Sequence, residues 1–156
     1  MPSDAFSPPH AANSLGLVFF PAYDWAISPN HPEREERLLY TQDQLREEGL
    51  FDIQGIREFR PILAEHKDVS RVHFCPPGFE RVVRNQHRAS AGSAIRAGQL
   101  VMEGKVEKAF ALTRPPGHHA MKGAQGGRGF CAVNIEAVML ERLRREHSLR
   151  RVAIVD

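Results

Sequence analysis

Cysteine is scarce in this sequence, and its scarcity excludes a class of proteins. The two cysteines, Cys75 and Cys131, show no CxxC spacing. Small secreted scaffolds that depend on disulfides carry several closely spaced cysteines, so this chain is not one of them. Two isolated cysteines fit a reducing compartment, and we expect a cytoplasmic protein.

Long apolar runs and an excess of one charge are also missing. The longest apolar stretch, residues 15–21, is much too short to cross a membrane, and no basic segment precedes an apolar core as in a secretory signal. The 21 Lys and Arg against 19 Asp and Glu give a formal net charge of +2. The basic residues are dispersed except in residues 142–151, a pattern typical of a solvated helix face. Neither a nucleic-acid partner nor a membrane partner is therefore indicated, while a homo-oligomer stays open.

The sequence does contain alternating strand and helix patterns. A length of 156 residues, of which 42% are hydrophobic, corresponds to one domain or to part of one. Residues 1–14 lack apolar periodicity and predict a loose N-terminal tail, which leaves residues 15–156 as the folded part. Strands are predicted within residues 15–20, 56–64, 106–113 and 150–156, and helices within residues 28–50, 76–104 and 132–148. This order predicts an α/β fold with a mainly parallel sheet.

The second helical segment is rich in small side chains. Gly104 is its predicted terminator, as Gly49 is for the first helix. The small residues predict a helix face packed tightly on a neighbour; they are Ala89, Ala91, Gly92, Ala94 and Ala97.

One segment combines features that are unusual for a surface turn. In "LTRPPGHHAMKGAQGGRGFCAVN", residues 112–134, His118 and His119 follow Pro115, Pro116 and Gly117 directly. The prolines restrict the backbone and the glycine lets it turn sharply, so the chain itself holds the two imidazoles. The segment follows a predicted strand and precedes a predicted helix, which is where open parallel sheets bind their ligands.

The histidine pair allows three interpretations. The two residues could be ordinary turn histidines, one capping the backbone and the other exposed to solvent. Direct metal binding is disfavoured, because adjacent residues rarely both ligate one ion and neither an HxH nor an HExxH spacing is present. Acid–base chemistry is favoured, since an imidazole exchanges a proton near neutral pH, and each ring would then need an orienting carboxylate.

The glycine-rich stretch "GAQGGRG", residues 123–129, does not indicate nucleotide binding. It lacks the GK[ST] ending of a phosphate-binding loop and the strand-GxGxxG-helix order of a dinucleotide site. By itself it is typical of a flexible connection. Phe130 at its end is a large apolar residue that could form the wall of a narrow pocket.

Two halves of this segment together resemble a known family. "RPPGHHA" (residues 114–120) followed by "RGFCAVN" (residues 128–134) is similar to the zinc-dependent histone deacetylase superfamily, including the bacterial acetoin-utilisation and acetylpolyamine amidohydrolase proteins. Upstream, Tyr23 and Asp24 and the stretch "HPEREERL" (residues 31–38) resemble the family's HPExxxR signature. The resemblance implies an arginase/deacetylase-like mainly parallel sheet with helices on both faces, incomplete in this chain.

The resemblance also implies catalytic roles in the hydrolysis of acetyl-amide bonds. His119 corresponds to the general base that later acts as an acid, and His118 to its neighbour, which tunes the charge of the site. Asp156 corresponds to an aspartate that hydrogen-bonds His118 and in many members also contacts a structural K⁺. A zinc ion would polarise the acetyl carbonyl and a bound water. The substrate would be acetyl-lysine, an acetylpolyamine or a similar acetylated amine.

Four further residues receive roles from the same resemblance. Gly129 and Phe130 correspond to the wall of the substrate tunnel, where the glycine carbonyl accepts from the substrate amide and the ring packs on the aliphatic arm. Cys131 lies next to them at the base of the pocket. Arg37 corresponds to an arginine of an interior channel for acetate, and its plain alternative is a surface salt bridge.

The sequence departs from the family at two places. It reaches Asp156 without the Asp-x-His ligands, the later aspartate ligand or the transition-state tyrosine, so we expect the zinc ligands beyond residue 156 and take the chain as the N-terminal part of a deacetylase, inactive by itself. The Asp-containing rim loop that grips a peptide backbone in many members is also missing. The alternative is a non-catalytic binding or assembly protein that lacks the metal site.

The remaining histidines receive no chemistry. His73 and Cys75 in "RVHFC" are expected to pack or to line a loop and not to bind metal. The other four are expected at the solvated surface: His10, His66, His87 and His147.

Overall fold

A computed structural model gives the fold. It describes residues 9–19, 30–31, 34, 36–78, 83, 85–123 and 128–156. In chain order the elements are β1 (His10–Phe19), α1 (Glu36–Glu47), a 3-10 turn (Leu50–Asp52), β2 (Gln54–Phe59), α2 (His66–Ser70), α3 (Asn85–Met102), β3 (Lys108–Leu112) and α4 (Ile135–His147). No helix among these described residues is long and apolar enough to span a membrane. Tyr23, Asp24 and Pro32, which the sequence singled out, lie outside the described residues.

The described strands form one parallel sheet in the order β2-β1-β3. The central strand β1 is buried on both sides, because its side chains alternate between the two faces: Leu17 and Phe19 point one way and Val18 the other. Such a doubly covered strand has the continuous apolar sequence seen in residues 15–20. The α/β class and the parallel sheet predicted from the sequence are confirmed.

The predicted tail is wrong in its second part. β1 begins at His10, and His10 pairs with Gln54 of β2. The ladder is irregular between His10 and Leu15, and Ser14 is tied by its backbone N–H to the Glu107 carboxylate at 2.8 Å. Backbone pairing orders this stretch although its side chains carry no apolar pattern.

Helices cover both faces of the sheet, as expected. On one face α1 places Leu38 and Leu45 against Leu17, Phe19 and Leu112. On the other face α3 places Ala97 and Leu100 against Val18. The predicted terminators are confirmed, since Gly49 and Gly104 adopt the left-handed φ values of 73° and 66° just after α1 and α3.

The small residues of α3 do form a close-packed face. A methyl group added at Gly92 would lie 2.0 Å from the Ile62 carbonyl oxygen, so the helix touches the backbone of residues 62–64 at this point. Arg88 at the same contact donates from Nε to the Ala64 carbonyl at 2.8 Å. A third apolar cluster joins α3 to α2 and α4; its buried members include Val69, Ala91, Ile95, Val133 and Val138.

Two expectations from the sequence are wrong, one about residues 150–156 and one about His87. Residues 150–156 form no strand: their side chains are exposed, and they pair with no strand of the described sheet. A continuous apolar run such as residues 152–155 favours a strand, but a strand also needs partner backbone groups for its hydrogen bonds. His87, expected at the surface, lies in α3 with 5% exposure, because the helix turns that position toward its packed side.

Candidate active site

The turn that carries the histidines is built into the core. It starts at the end of β3, where Arg114 and Pro115 are both fully buried. The Pro115 carbonyl accepts from the Ser90 hydroxyl of α3 at 2.6 Å. A methyl group at Gly117 would meet the Val133 carbonyl oxygen at 2.5 Å, so only glycine fits between this turn and the start of α4. The chain thus holds the histidines by its backbone, as the sequence predicted.

The two imidazoles lie face to face. Their ring centroids are 4.0 Å apart and the rings are inclined by 19°. His118 Nδ1 lies 2.9 Å from Asp156 Oδ1, so Asp156 supplies the orienting carboxylate that the sequence required for this ring. The His118 side chain is 44% exposed and the Asp156 side chain is 68% exposed, so water strongly screens the electrostatic interaction between them.

The second half of the segment returns to the histidine pair. Gly129 and Phe130 both adopt left-handed φ angles, 54° and 68°, and this is costly for a phenylalanine. A methyl group at Gly129 would lie 3.0 Å from His119 Nδ1, so the backbone of this glycine packs directly on the ring. Cys131 is buried, and its thiol donates to the Gly129 carbonyl at 3.4 Å.

Phe130 is partly exposed to solvent. Its side chain is 41% exposed, and its ring meets the edge of His31 in a T-shaped contact with a centroid distance of 4.3 Å. No role was predicted for His31 from the sequence, although its position at the start of "HPEREERL" was a signal that this motif approaches the site. Arg37 of the same motif lies in α1 with an exposed side chain, and its channel role stays a prediction.

An open cleft of about 150 Å³ adjoins His118. Residues from the start of α4 and from the chain segment after it line this cleft together with His118: Asn134, Glu136, Ile154, Val155 and Asp156. The sequence did not single out Asn134 or Glu136. Their place in the cleft depends on how the start of α4 packs against the histidine turn, which no local pattern predicts.

These residues do not form a zinc site by themselves. Ligand atoms of His118, His119 and Cys131 all lie within 4.8 Å of one another. The nearly parallel rings, however, direct their nitrogen lone pairs side by side and not toward one point, and His118 Nδ1 is already bonded to Asp156. A tetrahedral zinc ion needs converging donors at about 2.0–2.3 Å. The pair is therefore not arranged to hold a zinc ion by itself.

Comparison with known proteins identifies the family. The profile of the histone deacetylase domain matches residues 77–156, about half of the chain. The chain belongs to this family. The matched residues include the histidine turn, the Gly129-Phe130-Cys131 loop and Asp156.

Individual relatives agree with this assignment. The deacetylase-family chain is 39% identical over 165 residues to a probable deacetylase of Archaeoglobus fulgidus, covering 90% of this chain and 44% of that protein. It is 46% identical over 67 residues to an acetylpolyamine amidohydrolase of Burkholderia pseudomallei, covering 43% of this chain and 18% of that protein.

A solved structure has the same fold. The crystal structure of the HDA15 HD domain superposes with a TM-score of 0.65 at 23% identity, covering 85% of this chain and 44% of that one. The arginase/deacetylase-like fold expected from the sequence is thereby confirmed. The deacetylase-family chain spans less than half the length of the Archaeoglobus fulgidus protein and of this solved chain.

Proposed function

We propose that the protein carrying this chain hydrolyses acetyl-amide bonds of an acetylated amine. The observation that carries the proposal is the stacked histidine pair, in which one ring is bonded to a carboxylate and the other lies against Gly129. Two adjacent imidazoles with different partners suit two different tasks in proton transfer.

In the proposed reaction His119 moves the proton. It accepts a proton from the attacking water, whose oxygen bonds to the acetyl carbon, and then gives a proton to the amine as the C–N bond breaks. Acetate and the free amine are the products. His119 suits this role because its ring is not bonded to Asp156 and is fixed on one side by the Gly129 backbone.

His118 and Asp156 are proposed to set the charge of the site. With Asp156 accepting from its Nδ1–H, the His118 imidazole has a fixed orientation and tautomer, and it can carry positive charge next to His119. A structural K⁺ near Asp156 is proposed on the resemblance alone. A zinc ion, also proposed on the resemblance, would supply the polarisation of the acetyl carbonyl, and the histidine pair would lie beside it.

Phe130 and Gly129 are proposed to contact the substrate. The exposed face of the phenylalanine ring suits a linear aliphatic arm, such as that of acetyl-lysine or an acetylpolyamine, and the Gly129 carbonyl has a second lone pair for the substrate N–H. Cys131 is proposed to support this wall from its buried position at the base.

The proposal is tested with the protein expressed from its complete reading frame. Release of acetate from acetylspermidine and from an acetyl-lysine peptide is measured beside the metal content, with and without a chelator. Turnover that disappears on chelation and returns with zinc supports the proposal. A well-folded protein that retains no metal and hydrolyses neither class of substrate contradicts it and favours a binding or assembly role.

A further inference from the structure

A further histidine, His73, is buried and does not belong to the stacked pair. It lies just after α2 with 4% exposure, and both of its ring nitrogens are hydrogen-bonded. Nδ1 lies 2.9 Å from the Met121 carbonyl oxygen, and Nε2 lies 2.9 Å from the Asn134 backbone nitrogen. The ring therefore bridges two backbone groups that are distant from it in sequence.

These two partners determine the protonation state of the ring. A backbone N–H can only donate, so Nε2 must be the acceptor for Asn134; a carbonyl can only accept, so Nδ1 must carry the proton for Met121. The ring is thus neutral, with its proton on Nδ1. A proton added at Nε2 would meet the Asn134 N–H and break that bond. Burial, which lowers the pKa of His73 below its ordinary value, favours the same neutral form.

The bridged groups lie at the two ends of residues 121–134, the part of the segment that follows the histidine pair and carries Gly129, Phe130 and Cys131. Met121 follows the His118-His119 turn, and Asn134 follows the Gly129-Phe130-Cys131 loop and caps α4 through its side chain. The neighbouring residue strengthens the first attachment, because the Phe74 N–H donates to the Lys122 carbonyl at 2.8 Å. The His73 imidazole therefore fixes the distance between Met121, just after the histidine turn, and Asn134, at the start of α4.

That distance matters for the site. Gly129 can pack against His119 only if the loop and the turn keep their relative position, and Phe130 keeps its costly φ of 68° only if surrounding contacts hold it there. Residues that fix the two ends of the segment supply this constraint.

We propose that His73 is a positioning residue for the hydrolysis of acetylated amines, acting through the Met121 carbonyl and the Asn134 amide to hold the Gly129-Phe130 wall against the histidine pair. The inference rests on the proposed function for its reaction, and it has a structural part that does not depend on activity.

The test compares two substitutions of His73 in the complete protein. His73→Phe keeps the volume and removes both hydrogen bonds, whereas His73→Gln keeps a carbonyl that accepts and an amide that donates. We expect His73→Phe to lower kcat/KM by roughly 100-fold, the effect of a small misplacement of reacting groups. His73→Gln should recover most of this loss.

Leu100→Ala is the matched control for stability. Leu100 is fully buried in the cluster between α3 and the sheet and does not belong to the cluster of α2 and α4. Leu100→Ala should lower Tm at least as much as His73→Phe and leave kcat/KM unchanged. If Leu100→Ala reduces kcat/KM as strongly as His73→Phe does, or if His73→Gln is as defective as His73→Phe, the positioning role is wrong.

Hydrogen exchange of the backbone separates this inference from the proposed function. Exchange at the Asn134 amide, which donates to His73, and at the Phe74 amide, which donates to the Lys122 carbonyl, should be roughly tenfold faster in His73→Phe, corresponding to the loss of one hydrogen bond, and near wild type in Leu100→Ala. If the wild-type protein hydrolyses no acetylated amine, the proposed function fails, and the exchange result alone decides whether His73 holds the segment. Unchanged exchange in His73→Phe overturns the inference in either case.

Discussion

At the scale of single residues, the stacked histidines differ in their partners, and so their substitutions should differ in effect. In the complete protein, His119→Ala should lower turnover by roughly 10²- to 10⁴-fold, as for a lost general acid–base group, with nearly unchanged zinc content. His118→Ala should lower turnover less, because in the proposed reaction that ring tunes charge and does not carry the proton. Asp156→Asn should act through His118 and resemble His118→Ala. Steady-state kinetics and metal analysis of the three variants measure these effects.

The contrary outcomes of this comparison are specific. Wild-type turnover in His119→Ala would contradict the proton-transfer role. Loss of zinc from that variant alone would mean that His119 is a ligand and not a base.

His73 makes a prediction about stability and pH. Its pKa in the folded state lies below the ordinary value of 6.5, chiefly through burial, so the unfolded chain binds more protons in the window between the two values. The free energy of unfolding should therefore be greatest above about pH 6.5 and fall as the pH drops through this window, by up to about 1.4 kcal/mol per pH unit. Denaturant titrations at pH 7.5 and pH 5.5 measure this difference. The difference between the two pH values should shrink in His73→Gln, which removes the buried imidazole. It should persist in His66→Gln, because His66 is exposed.

The sequence predicted some residues of the site and not others, for physical reasons. The constraint on His118 and His119 was visible because proline and glycine act locally on the backbone. The contact between His118 and Asp156 came only from the family resemblance, since no local pattern joins residues so far apart in the chain. The bridge made by His73 was missed because a buried polar side chain that bonds to distant backbone atoms leaves no periodic signal.

At the scale of elements, α3 offers a matched pair of glycines. Both Gly92 and Gly98 lie in the helix, where alanine by itself would be favourable by about 1 kcal/mol. A methyl group at Gly92 meets the Ile62 backbone at 2.0 Å, whereas at Gly98 it meets the end of the Leu143 side chain at 2.5 Å. The Ile62 backbone cannot move aside as readily as the end of the Leu143 side chain. We expect Gly92→Ala to lower the free energy of unfolding by roughly 2 kcal/mol or more and Gly98→Ala to stay within about 1 kcal/mol of wild type. Denaturant unfolding of both variants provides the test, and equal stabilities would show that the helix can move off residues 62–64.

The success of prediction also varied between elements. Strands and helices with a strong apolar pattern were found in the predicted segments, but α1 and α3 begin eight and nine residues after the start of theirs, and β2 ends five residues before the end of its segment. The short helix α2 was not predicted. Two further predictions are wrong: residues 10–14, which backbone pairing orders without apolar side chains, and residues 150–156, which have the apolar pattern without a described pairing partner. A ladder is a property of two segments, and a pattern within one segment cannot establish it.

At the scale of the whole molecule, we predict that residues 1–156 alone are inactive. The described residues bring together the His118-His119 pair and the Gly129-Phe130 loop, but the ligand atoms of His118, His119 and Cys131 do not converge on one point. The purified chain should retain no stoichiometric zinc and release no acetate from acetyl-lysine or acetylpolyamine reporters. Metal analysis and the acetate assay are run beside the complete protein as a positive control. A zinc-loaded, active 156-residue chain would contradict this prediction.

The order β2-β1-β3 has a consequence for the synthesis of the protein on the ribosome. The central strand is translated before both of its neighbours, and its partner on one side is about 93 residues further along the chain, as the bond between Ser14 and Glu107 shows. At a translation rate of about 5–20 residues per second, one edge of β1 waits roughly 5–20 s for β3 to emerge. During that interval the central strand of the described sheet has unpaired backbone groups along one edge, so we expect the nascent protein to be most prone to edge-to-edge association before the histidine turn has been made.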